Sequence, residues 1–422
     1  MNSPVIRRVE PAPCVYADAT AGKRRFAGKR VAMVTFSPYP FDPRPRRAVD
    51  ALVGEGASLD LICLGSDNAP KREAHPGISI LRVPIKHDRR GKLAYLYRYA
   101  AFILISSLIF ALRSLARRYD LVYVHNMPDI LVVSALVPKV LGAKVVLDLH
   151  DPMPELMKTI FHVSEESKSV RLLKTIEKWS IARADLVITV NLACKRIFSD
   201  RSCTSEKIAV VMNSPDGQIF PFRPTRSAAT KEEATNKPFV IMYHGSLVER
   251  NGLGLAIDAL ARVRQAIPLA ELRIFGANTP FLENMMEFAK EKDVQDIVHF
   301  LGPRRLEGLV SEIGNCDLGV IPNQRNAFTD INTPTRIFEY LALGKPVIAP
   351  STPGIQDYFD QGSLLFFESG NPGDLARQIE YAFFHPTEVQ EIVRRSQQVF
   401  LEHAWDREKE TLVGRVSEIL HN

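Results

Sequence analysis

The 422-residue chain has little cysteine, and what it has is scattered. Cys14, Cys63, Cys194, Cys203 and Cys316 are odd in number, widely spaced and form no Cys-x-x-Cys pair. That argues against a disulfide framework or a zinc site and fits a reducing compartment. No other metal-ligand spacing is visible, so no metal or other cofactor is expected. Met1–Phe26 lacks an apolar run and therefore a visible secretory signal, and residues 1–28 read as a disordered leader. Neither Gly-x-x-x-x-Gly-Lys-Ser/Thr nor Gly-x-Gly-x-x-Gly occurs, which argues against an ATPase or a dehydrogenase. Long hydrophobic runs are also scarce. Tyr99–Leu112 is charge-free and mostly apolar, but its 14 residues fall short of the about 20 that span a bilayer.

The charge is unevenly placed. Met1–Arg223 carries 34 Lys and Arg against 21 Asp and Glu, whereas the remainder carries 20 against 27. A basic first half attracts a phosphorylated substrate or an anionic membrane surface. No nucleic-acid fold signature accompanies it, so nucleic acid is not an expected partner. Arg98 and Arg113 bracket the apolar run, with Lys92, Tyr95, Tyr97, Arg117 and Arg118 around it. Two readings stay open for Leu93–Arg118: a deeply buried helix, or an interfacial helix lying in a bilayer surface.

Short apolar strands alternate with helical spacing throughout, as in doubly wound α/β domains. The expected organisation is a first domain at 29–221, a linker at 222–238 and a second α/β domain at 239–400. A last helix at 401–422 is expected to pack back on the first domain. In such sheets ligands bind beyond the carboxyl ends of the strands. Candidates at those ends in the first half are Asp42 and Arg44 in a proline-rich loop, His125 and Asp129, and His150 and Asp151. Ile130–Leu141 reads as a helix.

In the second half, two stretches read as anion seats. One is the glycine-bounded loop His244–Gly252, with Gly245 and Arg250. The other is the start of a helix at Thr335 and Arg336. Thr335 is positioned to cap that helix, and an Arg in a first turn, where acids are usual, makes sense beside a bound anion. Ile337, Tyr340 and Leu341 share a face, Gly344 ends the helix, and Glu339 lies about one turn beyond Arg336. A carboxylate there suits a ribose.

Several segments together resemble the retaining, GT-B-fold glycosyltransferases of family 4. They are Tyr243–Gly252, Arg273–Gly276, Val298–Gly302, Cys316–Pro322 and Thr333–Ile348, with Tyr39–Arg44, Val124–Asn126, Pro128-Asp129, Leu149–Asp151, Ala184–Thr189 and Asn213. The resemblance covers nearly the whole chain after residue 29. It implies two Rossmann-like domains facing a central cleft, with a nucleotide-diphospho-sugar held by the second. It also implies metal-independent transfer with retention, by the bacterial exopolysaccharide and capsule type of enzyme. Residue by residue, Glu339 matches the second Glu of the family's Glu-x7-Glu motif, and Ile331 stands at the first. Ser246 and Asn251 replace a common Arg and Lys, leaving Arg250 as the loop's cation. Gly245, Arg250, Gly302, Thr335, Arg336 and Glu339 are thus donor-side residues. His150 matches the histidine facing the reaction centre, and Asp42, Arg44, His125, Asp129 and Asp151 are acceptor-side residues. The basic first half makes a lipid-linked saccharide the expected acceptor, with a cytoplasmic, peripheral inner-membrane location. Rival expectations are a nucleotide-sugar epimerase or hydrolase of the same fold, and a non-catalytic sugar-nucleotide-binding scaffold.

Overall fold

The computed structural model describes residues 24–66, 69–85, 92–225 and 237–421, of which 92–95 by backbone alone. Most of the expected leader and of the expected linker therefore lies outside the described residues. The chain forms two compact units, one of Met1–Val211 with Lys409–Asn422, the other of Met212–Glu408.

The first unit comprises β1 (Arg30–Pro38), α1 (Pro43–Gly54), β2 (Ser58–Leu64), β3 (Arg72–His75), β4 (Ile78–Val83), α2 (Lys92–Ala116) and β5 (Leu121–His125). It continues with α3 (Leu136–Val140), β6 (Lys144–Leu149), α4 (Met153–Phe161), α5 (Lys168–Arg183), β7 (Leu186–Thr189), α6 (Leu192–Arg201) and β8 (Ile208–Val210). The strands lie in the order β3-β4-β2-β1-β5-β6-β7-β8, parallel except for the edge strand β3. The central strands read as almost unbroken apolar runs because helices cover both faces of a parallel sheet. The order reverses between β1 and β5, so their carboxyl ends flank a switch point, where such folds bind ligands.

The second unit comprises β9 (Phe239–His244), α7 (Leu253–Val263), β10 (Ala270–Phe275), α8 (Pro280–Glu291), β11 (Val298–Phe300), α9 (Leu306–Gly314) and β12 (Leu318–Val320). It ends with α10 (Thr335–Ala342), β13 (Val347–Pro350), α11 (Pro353–Gln356), β14 (Leu365–Phe367), α12 (Pro372–Phe384), α13 (Pro386–Glu402) and the first residues of α14 (Trp405–His421). Its parallel sheet runs β11-β10-β9-β12-β13-β14, with the switch point between β9 and β12. One core lies on each face. Ile241, Leu260 and Ile274 belong to one, and Met242, Ile337 and Tyr340 to the other.

The unit boundary precedes the expected 221 because Met212 and Phe220 sit in the second unit's core. The rest of α14 belongs to the first unit, where Glu410 pairs with Arg25 at 2.7 Å and Arg415 Nη2 donates to the Glu206 carbonyl at 2.8 Å. The helix expected at Ile130–Leu141 is instead a 3-10 turn, Asp129–Ala135, followed by the short α3. Pro138 explains the break: it has no N–H to donate and fits only a first turn, so an α-helix there starts at Leu136. Of the two alternatives expected for Leu93–Arg118, deep burial holds for only one face of the helix, and the interfacial alternative is not contradicted. α2 buries one face and exposes the other, and Leu96–Ala116 is long and apolar enough to cross a membrane by length and composition. The 14-residue charge-free run understated it because the helix continues past Arg98 and Arg113.

Candidate active site

In the second unit the polar groups gather at the switch point. β9 ends at His244 and Gly245 follows with φ 130°. A Cβ at Gly245 would come within 3.3 Å of the Arg336 guanidinium, so the glycine lets that side chain lie against the backbone. Arg336 Nη1 donates to the His244 carbonyl at 2.8 Å and Nη2 to Asn323 Oδ1 at 3.0 Å. It thereby ties the end of β9 to the loop after β12, with its guanidinium 5.0 Å from the Tyr243 ring centroid. Two bonds leave further guanidinium N–H groups for a ligand.

α10 explains how Arg336 is held. Ile337, Tyr340 and Leu341 are fully buried. Tyr340 Oη donates to the Met242 carbonyl at 2.8 Å, and Gly344, at φ 70°, closes the helix. Lys345 N donates to the Tyr340 carbonyl and Gly344 N to that of Leu341, satisfying the last carbonyls. The expected cap by Thr335 is corrected. Pro334 is the N-cap, Thr335 is the first helical residue, and no side chain caps this end among the described residues. From the first helical position a short hydroxyl does not reach the next N–H groups, so these stay available to an anion.

Glu339 Oε2 lies 3.4 Å from His244 Nε2. Burial, reinforced by the Arg336 charge, pushes the His244 pKa down to about 3. At neutral pH the ring is uncharged and this approach is not an ion pair. Arg250 lies in the 3-10 turn Glu249–Asn251. Its carbonyl accepts from Gln324 N at 3.0 Å, and no described residue pairs with its side chain. Gly252 closes that turn at φ 67°, where a Cβ would fall 1.8 Å from the Pro322 carbonyl oxygen. Gly302 accepts from Gly276 N at 3.2 Å through its carbonyl, placing it beside the same loops. At Ile331, Asp330 stands next in line: Oδ2 accepts from Arg325 at 3.1 Å, and the buried Oδ1 has no partner among the described residues.

In the first unit, His125, His150, Asp42, Arg44 and Asp151 come together. Asp42 caps α1, accepting from Arg44 N, and its carboxylate also takes Arg44 Nε at 3.0 Å and Nη2 at 3.1 Å. Burial opposes the Asp42 charge, but the Arg44 guanidinium outweighs it and lowers the pKa to about 2. Arg44 Nη1 lies 3.9 Å from Asp151 Oδ2. The His125 and His150 rings stack at 5.3 Å, with Nδ1 of the first 3.0 Å from Nε2 of the second. Burial holds His150 neutral, with its pKa lowered to about 3.

Behind them stands Asp148, which sequence reasoning missed. Its Oδ2 accepts from Tyr123 Oη at 2.8 Å and lies 3.3 Å from His125 Nδ1. The signal was present: a lone carboxylate within an apolar strand needs partners. Ligand atoms of His125, Asp148 and His150 all lie within 4.8 Å of one another, a proximity their sequence spacing does not show. Asn126, noted only as part of the segment Val124–Asn126, has a role that the sequence did not assign. It donates to Asp129 Oδ1 at 3.0 Å and to the Asp151 carbonyl at 3.1 Å, and accepts from His150 N at 2.8 Å. Asp129 is thus buried as the support of Asn126, which links it to the backbone of His150 and Asp151. Burial raises its pKa to about 7.

Two parallel Rossmann-like units, each with polar groups at its switch point, define the GT-B class of transferases. The family described as "Glycosyl transferase 4-like domain" matches residues 41–214, and that described as "Glycosyl transferases group 1" matches 225–399. The chain belongs to these group 1, family 4 glycosyltransferases. Among curated relatives, WcaL of Escherichia coli (strain K12), named for colanic acid biosynthesis, is 24% identical over 255 residues, 59% of this chain and 61% of WcaL. The amylovoran biosynthesis glycosyltransferase AmsK of Erwinia amylovora is 23% identical over 206 residues, 48% of each chain. The match thus spans about half to three-fifths of these relatives. Among solved structures, sucrose-phosphate synthase from Thermosynechococcus elongatus superposes with a TM-score of 0.72 at 18% identity, covering 93% of this chain and 99% of that one. Anabaena HepE in complex with UDP-glucose does so at 0.66 and 16%, covering 92% and 99%.

Proposed function

We propose that the protein moves a sugar from a nucleotide-diphospho-sugar to a lipid-linked saccharide with retention of configuration, in exopolysaccharide or cell-surface glycan synthesis. The observation that carries this is Arg336, which bridges the ends of β9 and the post-β12 loop beside the uncapped start of α10. Backbone N–H groups and a fixed guanidinium at a switch point suit a diphosphate. The UDP-glucose complex of HepE and the polysaccharide names of WcaL and AmsK support the substrate class.

On this proposal Arg250 and Arg336 stabilise the departing diphosphate, Gly245 and Gly302 admit it to the backbone, and Glu339 accepts from the ribose. The acceptor hydroxyl oxygen bonds to the anomeric carbon while that carbon's bond to the diphosphate oxygen breaks on the same face. The hydroxyl proton passes to the leaving group. His150, neutral at working pH, orients the reacting sugar by hydrogen bonding. Asp42, Arg44 and Asp151 hold the acceptor.

The test is a screen of nucleotide sugars with and without bacterial lipid extract. Sugar transfer that requires the extract is expected. Turnover without any acceptor would mean a hydrolase or epimerase, and binding without turnover a scaffold.

A further inference from the structure

α2 carries two different apolar faces. Phe102, Ser106, Phe110 and Ser114 recur every four residues and are buried. Phe102 meets Phe36 edge-on at 5.1 Å, and Phe110 meets Tyr119 at 5.9 Å. On this face Ser106 Oγ donates to the Phe102 carbonyl at 2.8 Å, while the buried Ser114 Oγ has no partner among the described residues. The opposite face is also apolar but has nothing over it among the described residues. Leu104 and Leu115 are each 70% exposed, Leu108 61% and Leu112 59%. α3 packs beside α2 and also exposes apolar side chains, Val137 and Val140, the latter 87% exposed.

Singly exposed leucines are ordinary, but a stripe of them along one 25-residue helix, roughly 37 Å long, is not. Charge narrows the choice of occupant. α2 contains no acidic residue, Arg98 lies on it and the exposed Arg117 and Arg118 follow it, whereas Arg113 turns inward to Asp60 at 3.5 Å. A second copy would bring the same positive rim against itself. An anionic lipid surface complements both the stripe and the rim.

We propose that the outer face of α2, with α3, seats this protein on an anionic bilayer, with the helix lying in the interface rather than crossing it. Crossing would pull Phe102 and Phe110 out of the first unit's core and carry Arg98 and Arg113 into hydrocarbon. The surface gives the lipid-linked acceptor reading its partner and in that sense rests on it, but binding needs no donor sugar, so the two fail separately.

The experiment is sedimentation of the full chain with vesicles of phosphatidylglycerol and phosphatidylethanolamine, or of phosphatidylcholine alone, without nucleotide sugar. Wild type is expected to bind the anionic vesicles about tenfold better, less so in high salt, and to be released by alkaline carbonate. Leu108→Ser/Leu112→Ser is expected to lose binding by about tenfold while keeping the thermal midpoint, because both side chains are exposed. Arg117→Ser/Arg118→Ser is expected to remove the anionic preference. Equal binding to both vesicles, unchanged binding by the leucine variant, or retention in carbonate would overturn the proposal. So would a lipid-free dimer that the leucine variant dissociates.

Discussion

Replacing Arg336 by Ala tests whether one side chain both builds and serves the donor site. The substitution removes two charge-assisted hydrogen bonds and leaves the His244 carbonyl and the buried Asn323 Oδ1 without their donor. Such bonds contribute about 1.5–3 kcal/mol each when fully buried. Arg336 is half-buried, so water repairs part of the loss, and about 2 kcal/mol for the pair is the working figure. A second effect has a definite sign. His244 is held neutral by burial first and by Arg336 second, with a folded pKa of about 3 against an ordinary 6.5. The unfolded chain therefore takes up a proton first as pH falls, and stability is lost from about pH 6.5 downwards. Without the Arg336 charge the folded pKa rises towards the ordinary value and this acid loss shrinks. Urea unfolding should thus show a larger gap between wild type and Arg336→Ala at pH 7.5 than at pH 5. Arg336→Lys should keep the charge effect and about half of the stability loss. Donor turnover by Arg336→Ala should fall more than about tenfold. Unchanged unfolding together with unchanged turnover would refute the reasoning.

Three further outcomes are expected. Gly252→Ala should lower the thermal midpoint and nucleotide affinity together. Its Cβ would meet the Pro322 carbonyl, and the left-handed backbone alone costs about 1–2 kcal/mol. Asp129→Asn should flatten the pH profile of stability. The folded carboxyl, raised to about 7 by burial, holds its proton longer than the unfolded one, so wild type loses stability as pH rises from about 4 to 7, by roughly 2–4 kcal/mol. Arg250→Ala should leave the unfolding curve within about 0.5 kcal/mol while reducing donor turnover more than about tenfold, because no described residue pairs with its side chain. Steady-state kinetics beside urea titration separates the two.

Much of the fold is legible in the residue pattern, for reasons that also mark where legibility stops. Parallel strands buried on both faces stand out as apolar runs, so β1, β4 and β9 are readable nearly to their ends. β3, Arg-Glu-Ala-His, is a solvated edge strand without an apolar signal, and only its pairing with β4 makes it a strand. α4 starts between Pro152 and Pro154 and α11 at Pro353, and such prolines read as loop until the helix after them is seen. Strand ends pointed to His125 and His150. Asp148 went unnoticed and Asn126 was named without a role, because their meaning lies in contacts across two strands. Arg336 was legible as an anion-seat cation but not as a bridge, since its partners lie 92 and 13 residues away. Thr335 failed as a cap because Pro334 takes that position.

The central claim is that the second unit holds a nucleotide diphosphate at the ends of β9 and β12. Amide hydrogen exchange with and without UDP tests it most directly. Slowed exchange over residues 244–252 and the first turn of α10, weakened in Arg250→Ala, is the expected result. Protection confined to the first unit, or none at all with any nucleoside diphosphate tried at millimolar concentration, would contradict it.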